Sequence, residues 1–345
     1  MAAGSAPAPE LWRAVDELVE RAPSVDDLRR HGLQLLAARR LRLQGRPVHR
    51  QLVHDEQLAA AVTLSTPLLL RRVRAAYDCP VVLMKGPVLA ELYPEPRLRP
   101  FGDVDILVAD AERAQRALLA AGFRPVGDPS LFRNIHHLRP LVAPGLALTV
   151  EVHDRPKWPE GCDAPSVEEL LARAIPASAG LLTLPAEEHA LVVAAHSWAH
   201  SPLGRLGHLL DVHLLAAGAE EADLRTLARR WGLERLWETT ARASGALFGD
   251  GRSSWPLRTW ARSLPAVRER TVFERHLETC FAPFWALRIP RSAAAAGRGA
   301  LGTVRRQPEE AWGEKLARTS RALRSPRAPL SKHRQALDGR SRKAS

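Results

Sequence analysis

The segment RPFGDVDILVAD, residues 99–110, constrains the fold of this chain more than any other stretch. In DVDILV, Asp103 and Asp105 alternate with apolar residues, which is the period-two pattern of a β-strand. Because side chains alternate across a strand, both carboxylates point the same way. Carboxylates held this close raise each other's pKa, and a divalent cation such as Mg²⁺ would relieve the repulsion. The segment therefore predicts a strand that carries a metal site.

A third carboxylate lies in a second alternating segment, LTVEVHD. Thr149, Glu151 and His153 share one face of this predicted strand, and valines occupy the other. If the two strands are neighbours, Glu151 lies beside the aspartate pair, and His153 could contact a phosphate or orient a water. An edge strand whose polar face meets solvent would show the same alternation.

Basic residues and a glycine flank these carboxylates on the N-terminal side. Lys85 and Gly86 lie in MKG, at a predicted strand-to-helix turn. Glycine allows close backbone approach, a helix N-terminus offers free N–H groups to an anion, and lysine adds a point charge suited to a triphosphate. Arg97 and Arg99, in the following proline-rich loop, could bind the same phosphates or pair with the carboxylates.

The order of patterns along the chain predicts an α+β fold. Residues 1–78 show helical spacing, including a long helix over residues 50–77. Residues 79–165 alternate strand and helix signals and then give further strands at FRPV, SLFRNIHHLRPLV and LALTVEVH. Residues 166–285 return to helices. We therefore expect a small mixed β-sheet core flanked by N-terminal helices and a C-terminal helical region.

Most of the net charge of +12 lies in residues 286–345, which carry +11. This segment is rich in Ser, Ala, Pro and Gly, so we expect a basic, largely disordered tail. Such a tail can bind phosphate backbones, but Trp312 is its only aromatic residue, which favours a solvated tail over a nucleic-acid partner.

Cysteine usage and hydropathy predict a cytoplasmic protein. The three cysteines, Cys79, Cys162 and Cys280, are widely spaced and form no metal-ligand or disulfide pattern, which suits a reducing compartment. The N-terminal residues do not have the pattern of a signal peptide. No apolar run reaches the roughly 18 residues of a membrane helix, so we expect no membrane partner.

The run LMKGPVLAELYPEPRLRPFGDVDILV, followed by VEVH, resembles the nucleotidyltransferase superfamily of the DNA polymerase β type. More narrowly, it is similar to poorly characterised bacterial nucleotidyltransferases with Lys-Gly at the turn. The resemblance covers roughly residues 80–215 and implies that Asp103 and Asp105 are metal ligands and Glu151 the third carboxylate. It also implies that Lys85 and Gly86 form the nucleotide-phosphate turn, where the wider superfamily usually has Gly-Ser.

The downstream segments EEHALVVAAHSWAH and GRLGHLLDVHLL also resemble the helical half of that family. His196 and His200 share a helix face, but HSWAH lacks the Glu of H-E-x-x-H, so the zinc-protease interpretation fails. The two histidines with Asp211 could still hold a metal, although packing or contact with an acceptor is favoured. The resemblance implies that His196 and Asp211 lie near the cleft, as a hydrogen-bonded pair between helices. We assign no role to His208 and His213.

The reaction implied by the resemblance is attack of an acceptor hydroxyl on the α-phosphate of an NTP, with Mg²⁺ or Mn²⁺ as cofactor and pyrophosphate as leaving group. Glu151 or Asp105 is the candidate general base. Because the body is nearly neutral, we expect a small-molecule, peptide or protein acceptor. The alternatives are a toxin-like enzyme that modifies RNA or tRNA, and a catalytically silent nucleotide- or protein-binding module.

Overall fold

The computed structural model describes residues 9–132, 135–304 and 311–324. Within these ranges the α-helices are α1 (Pro9–Arg21), α2 (Val25–His31), α3 (Gln34–Leu43), α4 (Arg50–Ala76), α5 (Pro87–Ala90), α6 (Ala111–Ala120), α7 (Val167–Arg173), α8 (Ala186–His200), α9 (Leu206–Ala217), α10 (Glu221–Arg230), α11 (Glu234–Phe248), α12 (Trp255–Arg258), α13 (Val272–Phe281), α14 (Pro283–Ala286), α15 (Ile289–Val304) and α16 (Trp312–Arg324). The strands are β1 (Val82–Leu83), β2 (Asp103–Leu107), β3 (Arg124–Pro125), β4 (Leu141–Val142), β5 (Thr149–His153), β6 (Ile175–Pro176) and β7 (Leu182–Thr183). Short 3₁₀ turns lie at Pro96–Leu98, Pro129–Phe132 and Ser178–Gly180.

The seven strands form one mixed sheet in the order β3-β4-β5-β2-β1-β7-β6. The two longest strands, β2 and β5, are parallel neighbours in its middle. On one side of them β1 is antiparallel to β2, and on the other β4 is antiparallel to β5. The predicted class, an α+β fold with a small mixed sheet between helical regions, is confirmed.

The two faces of the sheet belong to different hydrophobic clusters. Val104 and Ile106 of β2 face one cluster, together with apolar residues of α4 and α6. Leu107, on the opposite face, packs in the larger cluster, which joins α1, α3 and α4 of the N-terminal region to helices α8–α11. The polar residues of β2 and β5 share a face with Leu107 and therefore lie between the sheet and the helices.

Local signals in the sequence explain where several helices begin. Ser24 accepts a hydrogen bond from the backbone N–H of Asp27 and caps α2. Asp110 caps α6 by accepting from the N–H of Arg113 at 2.8 Å. The predicted long helix over residues 50–77 is α4, which ends one residue earlier. The cap at Asp110 fixes the start of the helix that follows β2.

The structure differs from the sequence prediction in two segments. Among the described residues of SLFRNIHHLRPLV, only Leu141 and Val142 form a strand, β4, and His137 forms an isolated bridge with His153. Pro140, directly before β4, has no N–H to donate to a neighbouring strand. Helices α15 and α16 occupy part of the segment predicted to be largely disordered. The rest of that segment, residues 305–310 and 325–345, lies outside the described residues.

Among the described residues, none of the helices is both long enough and apolar enough to cross a membrane.

Candidate active site

The pairing of β2 with β5 brings the predicted carboxylates together. Asp105 lies directly opposite Glu151, and Asp103 lies opposite Thr149. Because each residue of β2 lies opposite one residue of β5 in this register, the side chains of paired residues point to the same face of the sheet. The prediction that Glu151 lies beside the aspartate pair is confirmed.

Asp105 is the most deeply buried of these groups, with only 1% of its surface exposed. One of its oxygens, Oδ1, lies 3.1 Å from Nζ of Lys85 and 3.0 Å from Nε2 of His153. The other oxygen, Oδ2, is buried and has no hydrogen-bond partner among the described residues. A buried carboxylate oxygen without a partner is costly, so this atom is a natural position for a ligand.

Asp105, Glu151 and His153 form a compact group that could hold a metal ion. One potential ligand atom from each lies within 4.8 Å of the others. Two carboxylates and an imidazole suit a divalent cation. The unpartnered Oδ2 of Asp105 can donate an electron pair to such an ion, so the residues present fit a metal. Asp103 lies outside this compact group, at the wall of the adjacent cavity. His153, which the sequence predicts to contact the nucleotide, belongs to the group that could hold the metal.

The electrostatics of the three carboxylates differ. Burial, together with the charges of Asp105 and Asp103, raises the pKa of Glu151 to about 7. Burial and the charge of Asp105 also raise the pKa of Asp103. Burial alone would raise the pKa of Asp105, but Lys85 and His153 outweigh it and hold that pKa well below its usual range. Asp105 is therefore the permanently ionised member, and Glu151 is poised to exchange a proton near neutral pH.

The Lys85–Gly86 turn approaches β2 very closely. Gly86 has φ +69°, and a Cβ atom there would lie 3.0 Å from the carbonyl oxygen of Asp103. This explains why a glycine occupies the turn. Nζ of Lys85 also lies 2.9 Å from Nε2 of His196 on α8. The helix that follows, α5, is four residues long.

Arg99 and Asp211 form a buried ion pair that connects α9 to this turn. The guanidinium Nε and Nη2 atoms donate to the two carboxylate oxygens at 2.8 and 2.9 Å, and Tyr93 donates its hydroxyl proton to the same carboxylate at 2.9 Å. Nη1 of Arg99 also donates to the carbonyl oxygen of Gly86 at 3.3 Å. His196 bonds to Lys85 and not to Asp211, so the predicted hydrogen-bonded pair is absent, although both residues line the cleft.

A cavity of about 590 Å³ lies against this constellation, within the range typical of ligand sites. One wall contains residues singled out in the sequence: Lys85, Gly86, Arg99, Asp103, Asp105, His196, His200 and Asp211. Another part of the lining comes from α3 and α4. Arg97, predicted to bind phosphate, lies outside the cavity and pairs with Glu95 at 2.6 Å.

Several polar residues near the site lack a recognisable signal in the sequence. His136 and His137 lie next to the ring of His153, with centroid distances of 5.3 and 5.2 Å. Lys157 contacts the ring nitrogens of His200 at 2.9 and 3.1 Å. His208, which has no predicted role, lines the cavity. The adjacent histidines of the segment before β4 are the one feature of the sequence that could have indicated these residues, but they match no motif with a defined spacing.

Comparison with known proteins is consistent with this geometry. The chain belongs to the family described as "Uncharacterised nucleotidyltransferase", whose family model matches residues 25–249. That range contains the whole constellation around Asp105 and the cavity walls. Searches of curated proteins and of solved structures each find no significant match.

Proposed function

We propose that this protein is a metal-dependent nucleotidyltransferase that moves a nucleoside monophosphate from an NTP to an acceptor hydroxyl and releases pyrophosphate. The observation that carries the proposal is the group Asp105, Glu151 and His153, of which Asp105 lines a cavity of about 590 Å³ and has one buried carboxylate oxygen unpartnered among the described residues. Family membership supports the general chemistry.

Mg²⁺ or Mn²⁺ fits the proposed cofactor role. Asp105, Glu151 and His153 would hold it, and Asp103, on the same face of β2 at the cavity wall, is proposed as a further carboxylate ligand. When bound, such an ion neutralises phosphate charge and lowers the pKa of a coordinated hydroxyl. The imidazole of His153 adds a nitrogen donor to the carboxylates, and Mn²⁺ accepts that mixture more readily than Mg²⁺.

The chain's own residues suggest how the substrates are arranged. Lys85 lines the cavity and offers a cation to the triphosphate, so the nucleotide would occupy the cavity. Glu151 does not line that cavity, and 22% of its side chain is exposed beside His137. The acceptor hydroxyl would therefore approach from the side of Glu151. Without a cation the pKa of Glu151 is about 7, and a cation held by this carboxylate would lower it. Glu151 would then be ionised, and its oxygen that does not hold the cation would accept the hydroxyl proton.

The acceptor that fits best is a small molecule, peptide or protein. Residues 1–285, which contain the whole site, carry a net charge of only +1, so they lack the strong basic surface typical of nucleic-acid binding. RNA as the acceptor would instead require residues 286–345. Cytoplasmic localisation, inferred from cysteine usage, stays a prediction.

The proposal is tested by nucleotide binding and turnover on the purified full chain. Each α-³²P-labelled NTP is incubated with Mg²⁺ or Mn²⁺, and binding, pyrophosphate release and self-labelling are measured. The Asp103→Ala/Asp105→Ala variant should lose all three. The matched control is Asp154→Ala, which removes a half-exposed carboxylate next to β5 that pairs only with Arg155 among the described residues. Absence of metal-dependent nucleotide binding in the wild type would overturn the proposal.

A further inference from the structure

The part of the cavity lining that comes from α3 and α4 contains two buried polar side chains that the catalytic constellation does not use. Gln34, the first residue of α3, and Asp55, in the second turn of α4, are 9% and 8% exposed. Both line the cavity. Each has a buried side-chain oxygen, Oε1 of Gln34 and Oδ2 of Asp55, without a hydrogen-bond partner in the described part of the chain.

The two unpartnered atoms share one chemistry, because both are hydrogen-bond acceptors. The other carboxylate oxygen of Asp55, Oδ1, already accepts from Nη2 of Arg29 at 3.0 Å, so that contact fixes the side chain and leaves Oδ2 available. Buried acceptors without a donor are unfavourable and are uncommon in native proteins. A ligand that fills this end of the cavity should therefore present N–H donors.

The surroundings of these oxygens fit a flat ring. Leu58, Ala59 and Val62 of α4 line the same wall and offer apolar contact. Leu58 is 48% exposed despite its size. An apolar wall with a few oriented polar atoms is the usual composition of a site that binds a ring system. The part of the lining with Lys85 and Asp105 suits phosphates.

We infer that Gln34 and Asp55 form the nucleobase subsite and accept hydrogen bonds from the exocyclic amino group of the base. The inference rests on the proposed function, because it orients an NTP with its phosphates at Lys85 and its base against α3 and α4. It predicts that the protein selects an NTP whose base carries an amino group, namely ATP, GTP or CTP, over UTP.

The experiment compares nucleotides that differ only by the amino group. Isothermal titration in saturating Mn²⁺ first ranks the four NTPs on the full chain. The tightest is then compared with its analogue that lacks the amino group: purine riboside triphosphate for ATP, inosine triphosphate for GTP, or pyrimidin-2-one riboside triphosphate for CTP. We expect about 10- to 100-fold weaker binding of the analogue, as for loss of a hydrogen bond to a charged group.

Two variants assign the discrimination to the subsite. Gln34→Met keeps the length of the side chain without its oxygen, and Asp55→Asn replaces one oxygen by a donor. Both should bring the ratio between the nucleotide and its analogue close to one. Glu56→Gln is the matched control, because Glu56 is the next residue of α4 but pairs with Arg42 outside the cavity. If a thermal melt shows that Asp55→Asn is not folded, the test of the subsite rests on Gln34→Met alone.

Each outcome bears on one of the two proposals. UTP as the tightest ligand, equal binding of the analogue, or discrimination that survives in the variants would overturn the base subsite and leave the proposed function standing. Absence of any metal-dependent NTP binding would instead overturn the proposed function, and the subsite with it. Discrimination that is lost in the variants and kept in Glu56→Gln supports the inference.

Discussion

Removing one partner of the ion pair between Arg99 and Asp211 should strongly destabilise the protein, because the other charge is left buried without a counter-charge. The side chains are only 11% and 4% exposed, and the two hydrogen bonds between them are short. In Asp211→Asn the side-chain volume is unchanged and Tyr93 can still donate to the amide oxygen. The guanidinium of Arg99, however, loses its counter-charge inside the protein.

The expected magnitude follows from that burial. Removing one partner of a buried ion pair costs about 3–5 kcal/mol, because the remaining charge is left uncompensated. Since Asn keeps one acceptor oxygen, we expect the lower end, about 3 kcal/mol. With an unfolding entropy of about 2.1 cal/mol/K per residue, 1 kcal/mol corresponds to about 1.4 °C for a chain of 345 residues, so the melting temperature should fall by about 4 °C.

The assay is a thermal melt and a urea titration at pH 7.5, with two comparison variants. Glu238→Gln removes an exposed partner of Arg242 at i,i+4, and it should cost less than about 1 kcal/mol. The double change Arg99→Met/Asp211→Leu should recover much of the loss, because no buried charge remains. A cost below about 1 kcal/mol for Asp211→Asn, or a double variant less stable than the single one, would refute this prediction.

Three further predictions use other parts of the structure. Gly86→Ala should cost about 1–3 kcal/mol in a thermal melt, because φ is +69° and the new Cβ would meet the Asp103 carbonyl. Burial lowers the pKa of His31 to about 4, below its unfolded value near 6.5. Stability should therefore fall from pH 6.5 to 4, by up to about 3 kcal/mol in urea titrations, and His31→Gln should lose less. Arg97→Ala should leave ATP affinity in Mn²⁺ within about twofold, because Arg97 lies outside the cavity.

Each of these predictions has a result that contradicts it. An unchanged melting temperature in Gly86→Ala would mean that the turn relaxes without strain. An equally steep loss of stability with falling pH in His31→Gln would mean that groups other than His31 cause the pH dependence. A tenfold loss of ATP affinity in Arg97→Ala would restore this residue to the phosphate site that the sequence predicts.

The strands that carry the site could be predicted from the sequence because alternation is a local property. The alternation around Asp103 and Asp105 and the alternation around Glu151 can each be recognised within six residues. The parallel pairing of β2 with β5 then brings these carboxylates to one face of the sheet. The Lys85–Gly86 turn was likewise visible, because a glycine between a strand pattern and a helix pattern is typical of a tight turn. The structure places these carboxylates and this turn in the strands and at the strand-to-helix connection that the patterns predict.

The family resemblance implies that His196 and Asp211 lie near the cleft, but their specific contacts could not be predicted, because the two residues come from distant helices. His196 contacts Lys85 across 111 positions of sequence, and Asp211 contacts Arg99 across 112. Nothing local in α3 or α4 indicates that Gln34 and Asp55 face the cavity. Arg97 and Arg99 look equivalent in the sequence, and only tertiary packing turns one inward and leaves the other on the surface.

Binding of a divalent metal by Asp105, Glu151 and His153 is tested most directly by titrating Mn²⁺ into the metal-free chain and following free Mn²⁺ by electron paramagnetic resonance. We predict that the wild type takes up Mn²⁺, that Asp105→Asn and Glu151→Gln lose this uptake, and that Asp154→Ala keeps it. Equal uptake in all four proteins, or none in the wild type with and without ATP, would contradict the proposed metal site.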